Sequence, residues 1–88
     1  MTLTWCVYFL QLSNGDIYIG STNDLARRFA SHQAGHVLST KAYLPATLKC
    51  HIAVETEDHA RELERYFKSG SGKAIALKRL VRKELRPD

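Results

Sequence analysis

Several large classes of protein are excluded by what this 88-residue chain lacks. It has two cysteines and two prolines, and no Cys/His spacing of the kind that builds a zinc site. No run approaches the ~18 apolar residues of a membrane span, and the N-terminus lacks the pattern of a signal peptide. A cytoplasmic protein with no membrane partner is therefore expected, with Cys6 and Cys50 as buried, reduced thiols in apolar strand-like runs. Internal repeats, linkers and low-complexity tracts are also missing, and a chain of this length predicts one domain (1–88) with one modest core.

The charge is uneven in the same way. Residues 1–25 hold no Lys or Arg, whereas 26–50 hold Arg27, Arg28, Lys41 and Lys49 and no acid. Residues 71–88 carry six Lys or Arg against Glu84 and Asp88, and the formal net charge is +4. Two basic blocks of this kind suit a phosphate backbone; they equally suit a solvated surface that aids solubility. The remaining composition, 44% apolar and 25% charged, is ordinary for a soluble globular protein.

Trp5 to Leu12 is almost continuously apolar and rich in β-formers, and Asp16 to Gly20 alternates, so the pair reads as two strands. Asn14-Gly15 between them is a strong hairpin signal. A flush two-residue loop would pair Tyr18 with Gln11 and put Tyr8 and Tyr18 on opposite faces. A three-residue loop or a β-bulge puts them on one face, and that is the arrangement expected. Asn23 then caps a helix running to about Gln33, stopped by Gly35. Leu25, Ala26 and Phe29 form its apolar stripe; Arg28 and His32 border that stripe and Arg27 points away.

Residues 34–47 read as a loop. Leu48, Cys50, Ile52 and Val54 alternate with polar or small residues, which predicts a third strand with one buried face. Thr56 caps a second helix, with Glu57 and Asp58 in its first turn and Ala60, Leu63 and Phe67 as its apolar stripe. Glu64 lies on the margin of that stripe and Glu62 opposite it. A carboxylate beside apolar surface is costly unless a cation or donor compensates, which makes Glu64 a candidate metal ligand; a surface contact with Lys68 is the plainer alternative. Gly70-Ser71-Gly72 interrupts the chain before a last amphipathic helix. Ala74, Leu77, Val81 and Leu85 are its expected buried side, and Arg79, Arg82, Lys83 and Arg86 cluster opposite. The fold class expected is α+β, a small, mainly antiparallel three-stranded sheet flanked by helices in the order β-β-α-β-α-α.

Cys6-Val7-Tyr8 and Tyr18-Ile19-Gly20 together resemble the two halves of a GIY-YIG nuclease motif. Arg28 stands eight residues after Gly20, the spacing of that family's arginine. His32 falls one helical turn later, where many members have histidine or tyrosine. Asp24-Leu25 followed by Arg27-Arg28 matches small stand-alone members, and Ser39-Thr40-Lys41 resembles a recurrent element that contacts phosphate or serves as a polar connection. The resemblance extends over roughly residues 6–80. Departures are Cys6 and Val7 in the first triplet and Ala46 where relatives often have tryptophan. None removes a group that the chemistry needs.

That resemblance implies a Mg²⁺-dependent (or Mn²⁺-dependent) DNA endonuclease, with repair or recombination as its setting and Glu64 as the sole protein ligand of the metal. It implies a catalytic set of Tyr8, Tyr18, Arg28, His32 and Glu64. Arg28 offers a planar fork of donors to a phosphate gaining charge, and magnesium suits one carboxylate because it keeps most of its waters. A phenol is a poor base at its reference pKa of ~10 unless nearby cations lower it. Tyr8 or Tyr18 is the implied base, with His32 and metal-bound water as competitors. Arg27, Thr40, Lys41, Lys73, Arg79, Arg82 and Lys83 are the candidate nucleic-acid contacts. Larger members take specificity from further domains, so a protein partner is one possible source of it here. A nucleic-acid-binding or protein-interaction module that keeps the fold without the chemistry is the alternative.

Overall fold

Val7 and Phe9 face one way along the first strand and Tyr8 and Leu10 the other, and all four are large. A strand that must bury both faces belongs in the middle of a sheet. In the computed structural model, which describes residues 3–82, it does. β1 (Trp5–Gln11) lies between β2 (Ile17–Thr22) and β3 (Thr47–Val54), antiparallel to both. Around them come α1 (Leu25–Gln33), α2 (Glu57–Lys68) and α3 (Gly70–Ile75), so the expected α+β order β-β-α-β-α-α is the observed one.

The hairpin turns through three residues. Gly15, at φ +91°, closes a turn by donating to Leu12 O at 2.9 Å, while Leu12 N donates to Asp16 O at 2.8 Å. The Asn14 side chain accepts from Asp16 N at 3.0 Å and holds the bend. Tyr8 therefore pairs with Gly20 and Leu10 with Tyr18, which puts both tyrosines on one face.

Each face has its own layer. Val7, Phe9, Ile19 and Val54 pack with Ala60, Phe67, Ala76 and Val81, which places α2 and α3 on that side. Tyr8, Leu10, Leu12 and Ala46 pack with Leu25 and Phe29 of α1 on the other. Phe9 meets Phe67 edge-on, with ring centroids 5.2 Å apart. No helix among the described residues is long and apolar enough to cross a membrane.

Four local expectations are corrected. Asp24, not Asn23, caps α1, its side chain accepting from Arg27 N at 3.1 Å. The Thr22 hydroxyl holds Asp24 N at 3.1 Å and so selects between two adjacent capping residues. Ala26 of the predicted stripe is exposed. The β1–β3 register shifts between Phe9 and Leu10, so Leu48 pairs with Leu10 and leaves the face shared by Cys50, Ile52 and Val54. Leu48 is exposed and Cys50 only half-buried, because the bulge turns one away and β3 is an edge strand.

The C-terminal correction is larger. Gly70 and Gly72 do not precede the last helix; they form its first turn, capped by Ser69, whose hydroxyl accepts from Gly72 N at 3.3 Å. A Cβ on Gly72 would overlap the Tyr66 carbonyl, so the glycine lets α3 start hard against the end of α2. A π-helical turn over Ala76–Leu80 then adds a residue to the repeat. The buried positions become Gly72, Ala76 and Val81, while Ala74 and Leu77 are exposed. Leu85, Arg86 and Lys83 lie outside the described residues.

Candidate active site

Gly20 explains why the second triplet ends in glycine. The Tyr8 ring lies directly over it: a Cβ there would stand 2.5 Å from Tyr8 Oη and 2.6 Å from the ring carbon that bears it. Tyr8 is buried and hydrogen-bonded, so it cannot swing aside. Gly20→Ala is expected to cost roughly 1–3 kcal/mol by overpacking. Urea denaturation followed by circular dichroism measures this; an unchanged midpoint would show that the ring moves freely.

Around the Tyr8 hydroxyl three elements converge. Tyr8 Oη lies 2.9 Å from His32 Nε2, and Arg28 Nε donates to it at a long 3.4 Å. The ring centroid of Tyr18 is 6.2 Å from that of Tyr8 and 4.9 Å from that of His32. His32 is buried without remainder, and its Nδ1 is 2.8 Å from the Thr40 hydroxyl. The helical phase of α1 produces this, since residues 25, 28, 29 and 32 fall on one stripe. A complete Schellman ending, with Gly35 N on His32 O and His36 N on Ser31 O, fixes the turn that carries His32. Gln33 next to it grips the backbone of Ala46 through both ends of its amide, at 2.8 and 2.9 Å, and so binds the following loop to α1.

The electrostatics separate the two tyrosines. Burial pushes the Tyr8 phenol up to about 12, outweighing the Arg28 hydrogen bond that draws it down. Tyr8 is fully buried whereas Tyr18 is half-buried, so of the two only Tyr18 keeps exposed surface. Burial, reinforced by the Arg28 charge, lowers His32 below its usual value and keeps the imidazole neutral.

Glu64 sits on the other side of β2. Alternation turns Ser21, next after Gly20, toward α2, where its hydroxyl donates to Glu64 Oε1 at 2.6 Å. Lys68 Nζ donates to the second oxygen at 2.6 Å. Burial alone would raise this carboxyl, but the hydrogen bonds from Lys68 and Ser21 outweigh it and hold the group below its ordinary value, ionised. Glu64 and Ser21 line an open pocket of about 540 Å³ with Arg61 and Arg65. No hydrogen bond among the described residues joins Glu64 to Tyr8, Arg28 or His32. The two groups flank β2, which is an edge strand.

A hydrated divalent ion fits this place. The carboxylate is ionised, the pocket is open, and the described residues contain no cluster of three acidic, His or Cys ligands that would strip the ion of its water. Glu64 is the residue that would hold it, and Lys68 would have to yield one oxygen. The Lys68 pair is half-exposed and worth only ~0.3–0.5 kcal/mol, so that pair opposes the exchange little. The positive charges of Arg61 and Arg65 on the same pocket are what a cation would have to overcome.

The basic candidates divide. Arg27 and Arg28 share a hollow of about 350 Å³ with Thr22, Asn23, Asp24 and Ser31. Lys73 shares another with Lys68 and Tyr18. With the Glu64 pocket these hollows follow β2 from Thr22 to Ile17, and cations line all three. The Lys68 contact expected as the plainer reading of Glu64 is present, whereas Arg61, Arg65 and Ser21 are not singled out by the sequence; the only signal is Arg61 three residues before Glu64 and Arg65 next to it. Lys41, Arg79 and Arg82 are exposed but line none of these hollows, and Lys83 lies outside the described residues. Thr40 requires a correction: it has no exposed surface and is bonded to His32, so its side chain cannot touch a phosphate.

Comparison with known proteins places the whole fold in a family. Residues 4–78 match the model of the GIY-YIG catalytic domain. A UPF0213 protein of Cupriavidus pinatubonensis is 38% identical over 61 residues, 68% of each chain. One from Bacillus cereus is 36% identical over 64 residues, covering 72% of this chain and 67% of its own. The solution NMR structure of the UPF0213 protein of Bacillus halodurans superposes with a TM-score of 0.54 at 27% identity, over 84% of this chain and 82% of that one. The chain thus belongs to the GIY-YIG family of nuclease domains.

Proposed function

We propose that the protein is a metal-dependent DNA endonuclease that hydrolyses one phosphodiester bond at the β2 edge. The observation that carries this reading is the joint placement, along one free strand edge, of a half-exposed tyrosine, a half-exposed arginine and an ionised glutamate. Neither a binding module nor a protein-interaction domain requires all three.

Each side chain has a task there. Arg28 presents its guanidinium to the hollow beside Thr22 and stabilises charge building on the phosphate oxygens. Arg27, Arg61, Arg65, Lys68 and Lys73 hold the backbone along the edge. Tyr18 takes the proton of the attacking water, a role that Tyr8 cannot fill from its buried position. Glu64 holds the metal, which when bound supplies Lewis acidity and a water of lowered pKa.

Cleavage of labelled linear, flap and branched DNA in Mg²⁺, Mn²⁺ or chelator tests the proposal. Cutting that requires the metal is the expected result. Salt-sensitive binding without cutting under every condition would favour the binding module.

A further inference from the structure

The His32 and Thr40 side chains have no exposed surface, and they are bonded to each other. A hydroxyl that served only to fill space would be replaceable by an apolar group. The hydrogen bonds here give it a direction.

Tyr8 is also buried, and the bonded partners of its oxygen are Arg28 and His32. Arginine only donates, so Arg28 Nε–H takes a lone pair of Tyr8 Oη and cannot accept the phenolic proton. That proton goes to His32 Nε2, which must then be bare. In a neutral ring Nδ1 carries the hydrogen, and the Thr40 oxygen accepts it at 2.8 Å. The Thr40 proton is left for the Val37 carbonyl, 3.4 Å away. Every donor thus points the same way, from Arg28 through Tyr8 and His32 to Thr40 and Val37. The opposite tautomer would aim two donors at Tyr8 Oη and leave its buried O–H without either partner.

We propose that Thr40 is a positioning residue: by accepting the Nδ1 proton of His32 it keeps Nε2 free to take the proton of Tyr8. Its link to catalysis rests on the endonuclease reading; the tautomer rests on geometry alone. When Tyr18 takes the proton of the attacking water it gives up its own phenolic proton to the neighbouring Tyr8 Oη; there the original O–H bond breaks and an N–H bond forms at His32 Nε2. The ring passes from neutral to imidazolium, and Thr40 keeps the Nδ1–H bond throughout. Burial and the Arg28 charge oppose that cation, which favours return of the proton to Tyr8.

Long-range ¹H–¹⁵N correlation of the full chain labelled with ¹⁵N-histidine, without metal or DNA, reads the tautomer directly. His32 is expected with Nδ1 protonated and Nε2 bare. Thr40→Val should lose that preference and lower kcat for cleavage roughly ten- to a hundredfold, as removal of a supporting hydrogen-bond partner typically does. KM should stay unchanged, and Thr40→Ser should restore both tautomer and rate. A wild-type ring protonated at Nε2 would overturn the inference even in an active enzyme, as would Thr40→Val with the wild-type tautomer and rate. A correct tautomer in a protein that cuts no DNA would instead defeat the endonuclease reading and, with it, the role of Thr40 in a reaction.

Discussion

Arg28→Ala is expected to slow DNA cleavage by roughly 10²–10³-fold, the usual cost of deleting one preorganised donor to a developing oxyanion. The loss should fall on kcat more than on KM, because other cations along the β2 edge remain to bind the backbone. Arg28→Lys should recover only part of it, since an ammonium keeps the charge but not the fork of donors. Folding should change little: Arg28 is half-exposed and its contact with Tyr8 Oη is a long 3.4 Å. Single-turnover kinetics beside a thermal melt separate the two quantities. A variant that melts like wild type and cuts at more than a tenth of its rate would remove Arg28 from the chemistry.

The second large effect lies in the core. Phe9→Ala should destabilise the protein by roughly 3–5 kcal/mol, the range for emptying a fully buried aromatic site. Phe9 has no exposed surface, sits at the centre of the middle strand and meets Phe67 edge-on. The cavity it leaves is walled by β1 and α2 and cannot close without moving one of them. Small domains have about 5–15 kcal/mol in total, so the variant should keep little margin. Urea titration followed by circular dichroism decides this, and a loss below ~1 kcal/mol would mean that α2 packs more loosely than the contact with Phe67 implies.

The legible parts of the sequence were those set by a short period or a strict local rule. Strand parity alone required an odd hairpin loop if Tyr8 and Tyr18 were to meet, and Gly15 supplies it. Helical phase alone put Arg28 and His32 on the stripe that reaches Tyr8. Thr56 and the acids after it marked the start of α2. The misplaced features depend on partners distant in the chain. Nothing near Leu48 signals a bulge whose cause is the register with β1. Gly70 and Gly72 look like a break because glycine disfavours helix, yet close packing at Tyr66 requires one of them. Thr40 looked like a surface hydroxyl until α1 and the loop were closed over it by Gln33 and Ala46. Glu64 was legible as a carboxylate on an apolar margin, but its neighbours Ser21, Arg61 and Arg65 come together only when α2 lies against β2.

The most direct test of the account is Mg²⁺-titrated, single-turnover cleavage by wild type and Glu64→Gln, with DNA binding measured on both in chelator. Glutamine preserves the shape and can still accept from Ser21, while it removes the charge that a divalent ion needs. The account predicts that Glu64→Gln folds and binds DNA like wild type but does not cut at any Mg²⁺ concentration. Wild-type cleavage by Glu64→Gln, or cleavage by wild type that persists in chelator, would contradict it.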